Sequence, residues 1–236
     1  MIGPAIGKLT AVTALAGLLG LAWIADRGQW FDPTPDPGPF VAVSNGHGGK
    51  IAMAVYEVTW DQWKSCYDGG GCAFLPKSKA RGRAGVFPVT GINRLDADDY
   101  VAWLNLRTGR LYRLPSADEW NAASGGLSRR PKKKLFEDPR LAWAADYGSE
   151  QALPAKLMPA GAFGSSPDGV ADLHGNVWEW TSSCVSPEAD YNSCPAAWAA
   201  GEHEAILSVL IRNPAAGGCG SGVPPANTGL RLVRDN

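Results

Sequence analysis

Asp172-Leu173-His174-Gly175-Asn176-Val177-Trp178-Glu179-Trp180-Thr181 is the stretch on which the reading of the whole chain turns. Strand alternation would put Trp178 and Trp180 on one face and Glu179 on the other. Each indole can bury a large apolar area while its N–H seeks one partner. Asp172 and Glu179 flank a turn whose carbonyls are free, a hard-oxygen set that suits calcium. The plainer alternative makes the tryptophans core and the acids solvated, and residue types alone favour it.

Outward from that stretch, composition narrows the class. The chain has 236 residues, a net charge of -1, and 29 glycines, 18 prolines and 10 tryptophans. Near-neutrality gives no sign of a nucleic-acid surface. Many glycines and prolines with few long periodic apolar runs argue for a loop-rich fold rather than a bundle or a doubly wound sheet. About 200 residues remain beyond the N-terminal segment, enough for one domain with a sizeable core.

Leu9 to Ala25 carries no charge and lies between Lys8 and Asp26-Arg27. It is at the short end for a membrane-spanning helix. A cleaved signal peptide is the alternative, but cleavage after Ala25 would place Trp23 where a small residue is wanted. The reading adopted is an uncleaved anchor with the bulk of the protein exported, since Lys8 precedes the span and Asp26, Asp32 and Asp36 follow it. Prolines 33, 35, 37 and 39 then form a semi-rigid spacer. The expected organisation is an anchor over 1–27, a Pro/Gly-rich linker over 28–50 and a globular domain over 51–236.

Within that domain Ile51 to Val58 reads as a strand. Thr59-Trp60-Asp61-Gln62 matches a capping box, predicting a short helix to about Tyr67 with Trp60, Trp63 and Tyr67 buried. Phe87-Pro88-Val89 reads as an edge strand. Asp96 is expected to cap a second helix ending before Gly109, with Tyr100, Trp103, Leu104 and Leu106 facing inward. Ser116-Ala117-Asp118-Glu119 opens a third helix that carries Trp120 and stops at Gly125-Gly126. The apolar run Ala205 to Ile211 reads as a core strand, with a docking surface as the alternative.

Arg129, Arg130, Lys132, Lys133 and Lys134 make the dense charge run, which Lys77, Lys79, Arg81 and Arg83 could extend. A solvated loop is the default; contact with anionic lipid or an acidic partner is the functional alternative. Cys66 and Cys72, and Cys184 and Cys194, are close enough in sequence for two local disulfides in an oxidising compartment. A four-cysteine zinc site is the rival, against the usual two-to-four-residue gap. Cys219 is left over, as a reactive thiol, an intermolecular link or a buried small residue. His47, His174 and His203 show no metal-ligand spacing.

Four motifs occur in order: Tyr56-Glu57-Val58-Thr59, Arg113 to Trp120 (RLPSADEW), His174 to Thr181 (HGNVWEWT) and Thr228 to Val233 (TGLRLV). Together they resemble the formylglycine-generating enzyme (sulfatase-modifying factor) superfamily over roughly residues 54–233. The resemblance implies an α+β fold related to C-type lectins, low in regular structure and often calcium-bound. It implies calcium held by the Asp172 and Glu179 side chains and the Gly175 and Val177 carbonyls, with a second site near Asp146 to Gln151. It also implies what is missing. The family's oxidases use two nearby thiolates and copper after an Arg-Gly-Gly-Ser-type motif. Here Gly201 to Arg212 lacks that motif, and Cys219 has no cysteine within ten residues. Copper is therefore not expected, and neither is the iron-binding histidine set of the ergothioneine-type oxygenases. The expectation is a non-catalytic, membrane-anchored interaction domain serving a membrane or periplasmic complex. The alternatives are an oxidase or maturation enzyme using Cys219 and a calcium-dependent glycan-binding module.

Overall fold

A computed structural model describes residues 34–76, 86–125, 157–186, 194–201, 205–210 and 227–235. The proposed anchor, the Arg129–Lys134 run with its companions at 77–83, the second calcium segment at 146–151, His203 and Cys219 lie outside the described residues. No helix among the described residues is long and apolar enough to cross a membrane.

The domain begins earlier than residue 51. Strand β1 (Phe40–Ser44) falls within the stretch read as linker and pairs antiparallel with β2 (Lys50–Ala54) along its whole length, from Phe40 opposite Ala54 to Ser44 opposite Lys50. The prolines that mark residues 33–39 as a spacer stop one residue short of a strand whose Val43 is buried. Strand β2 ends at Ala54 rather than Val58. The chain bends at Val55-Tyr56 but stays beside the C-terminal segment, with the amides of Ala54 and Val58 donating to the Leu232 and Leu230 carbonyls.

The three capping boxes form where polar residues spaced three apart can satisfy helix-start amides. Thr59 and Gln62 open α1 (Trp60–Asp68), and Ser116 and Glu119 open α3 (Ala117–Ala123). Between them α2 (Arg94–Thr108) starts three residues earlier than read: Asn93 is its cap, and Asp96 is the reciprocal acid of the box. Gly109 ends it at φ 65°, a left-handed conformation that a residue without Cβ adopts freely. Two buried-face expectations fail at helix ends. Tyr67 is exposed, with Cys66 taking the interior position, and Leu106 is 84% exposed because it lies on the outer side of the last turn of α2.

Among the described residues, eight strands make two four-stranded sheets. The first has the order β1-β2-β8-β3, with β3 at Tyr112–Arg113 and β8 at Val233–Arg234, all neighbours antiparallel. The second has the order β6-β5-β4-β7, with β4 at Trp178–Cys184, β5 at Ala196–Ala200, β6 at Ala205–Ser208 and β7 at Thr228–Gly229. Here β4 and β7 are parallel and the other neighbours antiparallel. Phe87-Pro88-Val89 contributes an isolated bridge between Thr59 and Pro88 rather than a strand. The apolar run at 205–211 supplies β6, followed by a buried Val209 and an exposed Leu210.

The larger core packs Trp63, Tyr100, Trp103 and Trp180 with Leu104, Leu114, Leu230 and Leu232. Trp63 stacks on Tyr100 with ring centroids 5.7 Å apart, and the Cys66–Cys72 and Cys184–Cys194 disulfides join the same region. A second cluster gathers Val43, Ile51, Met53, Trp120, Leu173 and Val233. The fold is α+β with short elements, as the resemblance implies.

Candidate functional site

β4 is buried on both faces, and this sets the site. Trp180 is fully buried and donates its Nε1–H to the Ile92 carbonyl at 3.1 Å, while Trp178 packs half-buried against the same core. The two indoles share a face, as alternation requires. Glu179 points the other way but does not reach solvent; its exposure is 0%.

A carboxylate with no access to water must be paired and hydrogen-bonded. Trp120 of α3 donates its Nε1–H to Glu179 Oε2 at 2.6 Å. Arg231, between β7 and β8, donates Nε–H to the same carboxylate at 2.9 and 3.1 Å and Nη2–H to Oε1 at 2.6 Å. Its Nη1 donates to the Ala54 and Val55 carbonyls at 3.0 and 2.7 Å, and its Nη2 to the Ala171 carbonyl at 2.9 Å. All five N–H donors of the guanidinium therefore find acceptors. Burial works most strongly against the charge on Arg231, but Glu179, Glu57 and Asp172 together outweigh it and raise its pKa.

Glu57 completes the group. Its Oε2 lies 3.9 Å from Arg231 Nη2 and has no hydrogen-bond partner, while its Oε1 accepts from Asn176 Nδ2 at 3.3 Å. Burial pushes the Glu57 carboxyl up to about 8; Arg231 pulls it down, and Glu179 adds to the rise. Burial thus favours the protonated form of Glu57. The turn Asp172 to Val177 closes the group from one side. Asp172, at φ 63°, accepts the backbone N–H groups of Gly161 and Phe163 on its two carboxylate oxygens. Asn176, at φ 69°, accepts the Met158 N–H at 3.0 Å.

An outer bridge braces this centre. Arg113 grips Glu119 through two parallel bonds of 2.7 Å and reaches Asp235 at 2.7 Å. That holds α3, and with it Trp120, against the C-terminal strand. The four sequence motifs thus meet in space: Glu57 from the first, Arg113, Glu119 and Trp120 from the second, Asn176 and Glu179 from the third with Asp172 just ahead of it, and Arg231 from the fourth.

The structure brings the four residues expected to hold calcium, Asp172, Gly175, Val177 and Glu179, together in the turn and the start of β4, with oxygens of Asp172, Gly175 and Glu179 already hydrogen-bonded. Both Asp172 oxygens accept backbone amides, the Gly175 carbonyl accepts the Val177 N–H at 2.9 Å, and both Glu179 oxygens are taken by Arg231 and Trp120. A calcium ion, which takes six to eight oxygen ligands, would compete with these donors, while Glu57 Oε2 in the same group has no hydrogen-bond partner. No other group of three or more His, Cys, Asp or Glu residues suited to a metal occurs among the described residues. His174 is exposed, and His47 lies 3.9 Å from Asp118 at the surface. Both cysteine pairs form the expected disulfides, which removes the four-cysteine zinc alternative.

Glu57, Trp120 and Arg231 were present in the sequence motifs but carried no assigned role. The signal for two of them is a charge inside an apolar extended stretch. Glu57 stands between Tyr56 and Val58, and Arg231 between Leu230 and Leu232. Such a charge needs a partner of opposite sign once both neighbours are packed.

Comparison with known proteins places this centre in a family context. The sequence profile of the sulfatase-modifying factor enzyme 1-like domain matches residues 39–236. The hercynine oxygenase of Mycobacterium tuberculosis is 32% identical over 102 residues, 42% of this chain and 23% of that protein. An inactive C-alpha-formylglycine-generating enzyme 2 from Bos taurus is 37% identical over 106 residues, 41% of this chain and 33% of that protein. The matched region thus spans a third or less of these curated relatives. Among solved structures, PvdO from Pseudomonas aeruginosa aligns over 87% of both chains with a TM-score of 0.54 at 20% identity. CarF aligns over 85% of this chain and 99% of its own with a TM-score of 0.52 at 17% identity. Those two likenesses concern the fold. With the profile spanning all four motifs and both sheets, the chain belongs to the sulfatase-modifying factor enzyme 1-like family.

Proposed function

We propose that this chain is a non-catalytic member of its family, an exported and membrane-anchored domain that serves as an accessory or assembly subunit of a membrane or periplasmic protein complex. The observation that carries the proposal is the use of the cysteines. The chain has five, and the two disulfides engage four of them, leaving Cys219 as the one remaining thiol. A two-thiolate copper site of the kind used by the family's oxidases needs a pair. The motif residues point the same way, because Glu57, Glu179 and Arg231 are spent on one another inside the fold. The name of the 37% identical relative, an inactive formylglycine-generating enzyme, is consistent with this. Two disulfides also favour an oxidising compartment, in keeping with the apolar Leu9–Ala25 segment as an anchor.

The test is purification of the tagged full-length protein in mild detergent from its native membranes, with mass spectrometry of what remains bound. A stoichiometric set of membrane subunits is the expected result. Recovery of the protein alone, together with copper binding and oxygen consumption on a thiol peptide that Cys219→Ser abolishes, would replace the proposal with the oxidase reading.

A further inference from the structure

Leu106 and Leu111 are each 84% exposed, the highest values for large apolar side chains among the described residues, ahead of Leu210 at 65%. A single exposed leucine is ordinary, but these two stand on one short loop that the fold holds in shape. Asn105 and Tyr112 close it from both sides. Asn105 donates its Nδ2–H to the Tyr112 carbonyl at 2.9 Å, and the Tyr112 N–H returns to Asn105 Oδ1 at 2.7 Å. Inside the loop the Gly109 N–H reaches the Asn105 carbonyl at 2.9 Å, and the Thr108 hydroxyl donates to the Leu104 carbonyl at 2.7 Å. The leucines are therefore presented outward by a built turn rather than left over at a frayed helix end.

Charge and position say what this loop faces. Residues 106–113, Leu-Arg-Thr-Gly-Arg-Leu-Tyr-Arg, hold three arginines and no acid. Arg113 is taken by Glu119 and Asp235, whereas Arg110 stands exposed between the leucines. The loop also lies beside the point where the chain enters the domain. Tyr112 follows Leu111 directly, and its ring lies 5.6 Å from that of Phe40, the first residue of β1. Arg234, opposite Tyr112 in β8, lies over the same Phe40 ring at 5.3 Å. The proline-rich stretch and the apolar Leu9–Ala25 segment precede Phe40 in the chain.

We propose that the 106–111 loop is a membrane-contact site, its two leucines entering the acyl boundary of an anionic bilayer while Arg107 and Arg110 meet the phosphate head groups. This site rests on the membrane-anchored reading of the chain and says which corner of the domain turns toward the bilayer. An apolar knob set among guanidinium groups matches an interface that is apolar within and negative at its surface. Two leucines alone hold a bilayer only weakly. A tether that keeps the domain within reach gives a local concentration on the order of millimolar, so the contact orients the domain and leaves attachment to the anchor.

The test uses the full-length protein on vesicles of phosphatidylglycerol with phosphatidylcholine, and on vesicles of phosphatidylcholine alone. Flotation reads the anchor, and amide hydrogen exchange over residues 106–112 reads the loop. The expected result is flotation on both vesicles, with exchange at 106–112 slowed several-fold on the anionic ones. Leu106→Ser/Leu111→Ser should float like the parent and lose the slowing, and Arg110→Glu should lose most of it. These side chains are exposed, so the variants should melt close to the parent. Flotation without slowing would overturn the proposal and leave the anchor, whereas slowing without flotation would remove the anchor and keep the loop. Slowing that survives in the leucine variant, or that is equal on both vesicles, would also overturn it. So would slowing found only in the native subunit complex, which would assign the loop to a protein partner.

Discussion

Glu57 is the side chain with the most unusual surroundings in the molecule, because one of its oxygens is buried without a hydrogen bond while an arginine stands 3.9 Å away. Burial raises its pKa from 4.5 to about 8. Between these values the folded state holds a proton that the unfolded chain has released. Stability therefore falls with rising pH across that window, by up to about 1.4 kcal/mol per pH unit for a single group. Below pH 4.5 both states are protonated, and above about 8 neither is, so the contribution is flat outside the window. Glu57→Gln cannot lose a proton. Its melting temperature should lie close to the parent's at pH 5 and above it at pH 9; a difference that does not change with pH would refute the protonated-acid assignment. None of this was legible from residue spacing. Glu57 meets Asn176 across 119 positions, and Arg231 meets Glu179 across 52, so local patterning names the charges but not their partners. The same gap explains the calcium expectation. The oxygens of the turn could be read from the sequence, but their prior engagement by Arg231, Trp120 and the 161–163 amides depends on tertiary contacts.

Helix starts were legible because a capping box is a local event, settled within four residues. The shifted start of α2 has the same origin: Asn93 and Asp96 both qualify as caps, and the choice rests on Asn93 also donating its side-chain N–H to the Leu210 carbonyl at 3.0 Å. Close approach between elements was not legible, and two glycines of the motifs show why it matters. A Cβ on Gly229 of β7 would lie 2.6 Å from the Val89 carbonyl oxygen, a backbone atom held by its own chain. A Cβ on Gly175 would also meet an atom at 2.6 Å, but that atom belongs to the half-exposed Phe163 ring, which can swing outward. Gly229→Ala should therefore cost about 1–3 kcal/mol, as overpacking does, and Gly175→Ala roughly 1 kcal/mol or less. Urea unfolding of the two variants compares them directly, and equal losses would show that the β7 contact is softer than its geometry implies.

At the scale of the whole molecule, the first and last described strands belong to one sheet, β1 at its edge and β8 inside it. β8 lies between β2 and β3, and β1 covers the other side of β2. No residue pattern signals this: β3, β7 and β8 have two residues each, too short for alternation to register, and β1 follows a proline-rich stretch. The arrangement makes the N-terminal boundary testable. A fragment beginning at Pro35 retains β1, the Pro39 carbonyl that accepts the Val55 N–H at 2.9 Å, and the Asp36 carbonyl that accepts the Gln62 side chain at 2.9 Å. One beginning at Ile51 loses all three, along with the burial of Val43, a side chain worth roughly 1.5–3 kcal/mol. It also leaves β2 as an open edge able to pair with another copy. Because Ala54 and Val55 supply two of the carbonyls that seat Arg231, loosening β2 should reach the central charge group as well. The fragment from Pro35 is expected to melt as the full domain does, whereas the fragment from Ile51 should melt lower and self-associate on gel filtration. Equal melting of the two fragments would mean that β1 is an appendage, and that the 54–55 carbonyls are positioned by β8 alone.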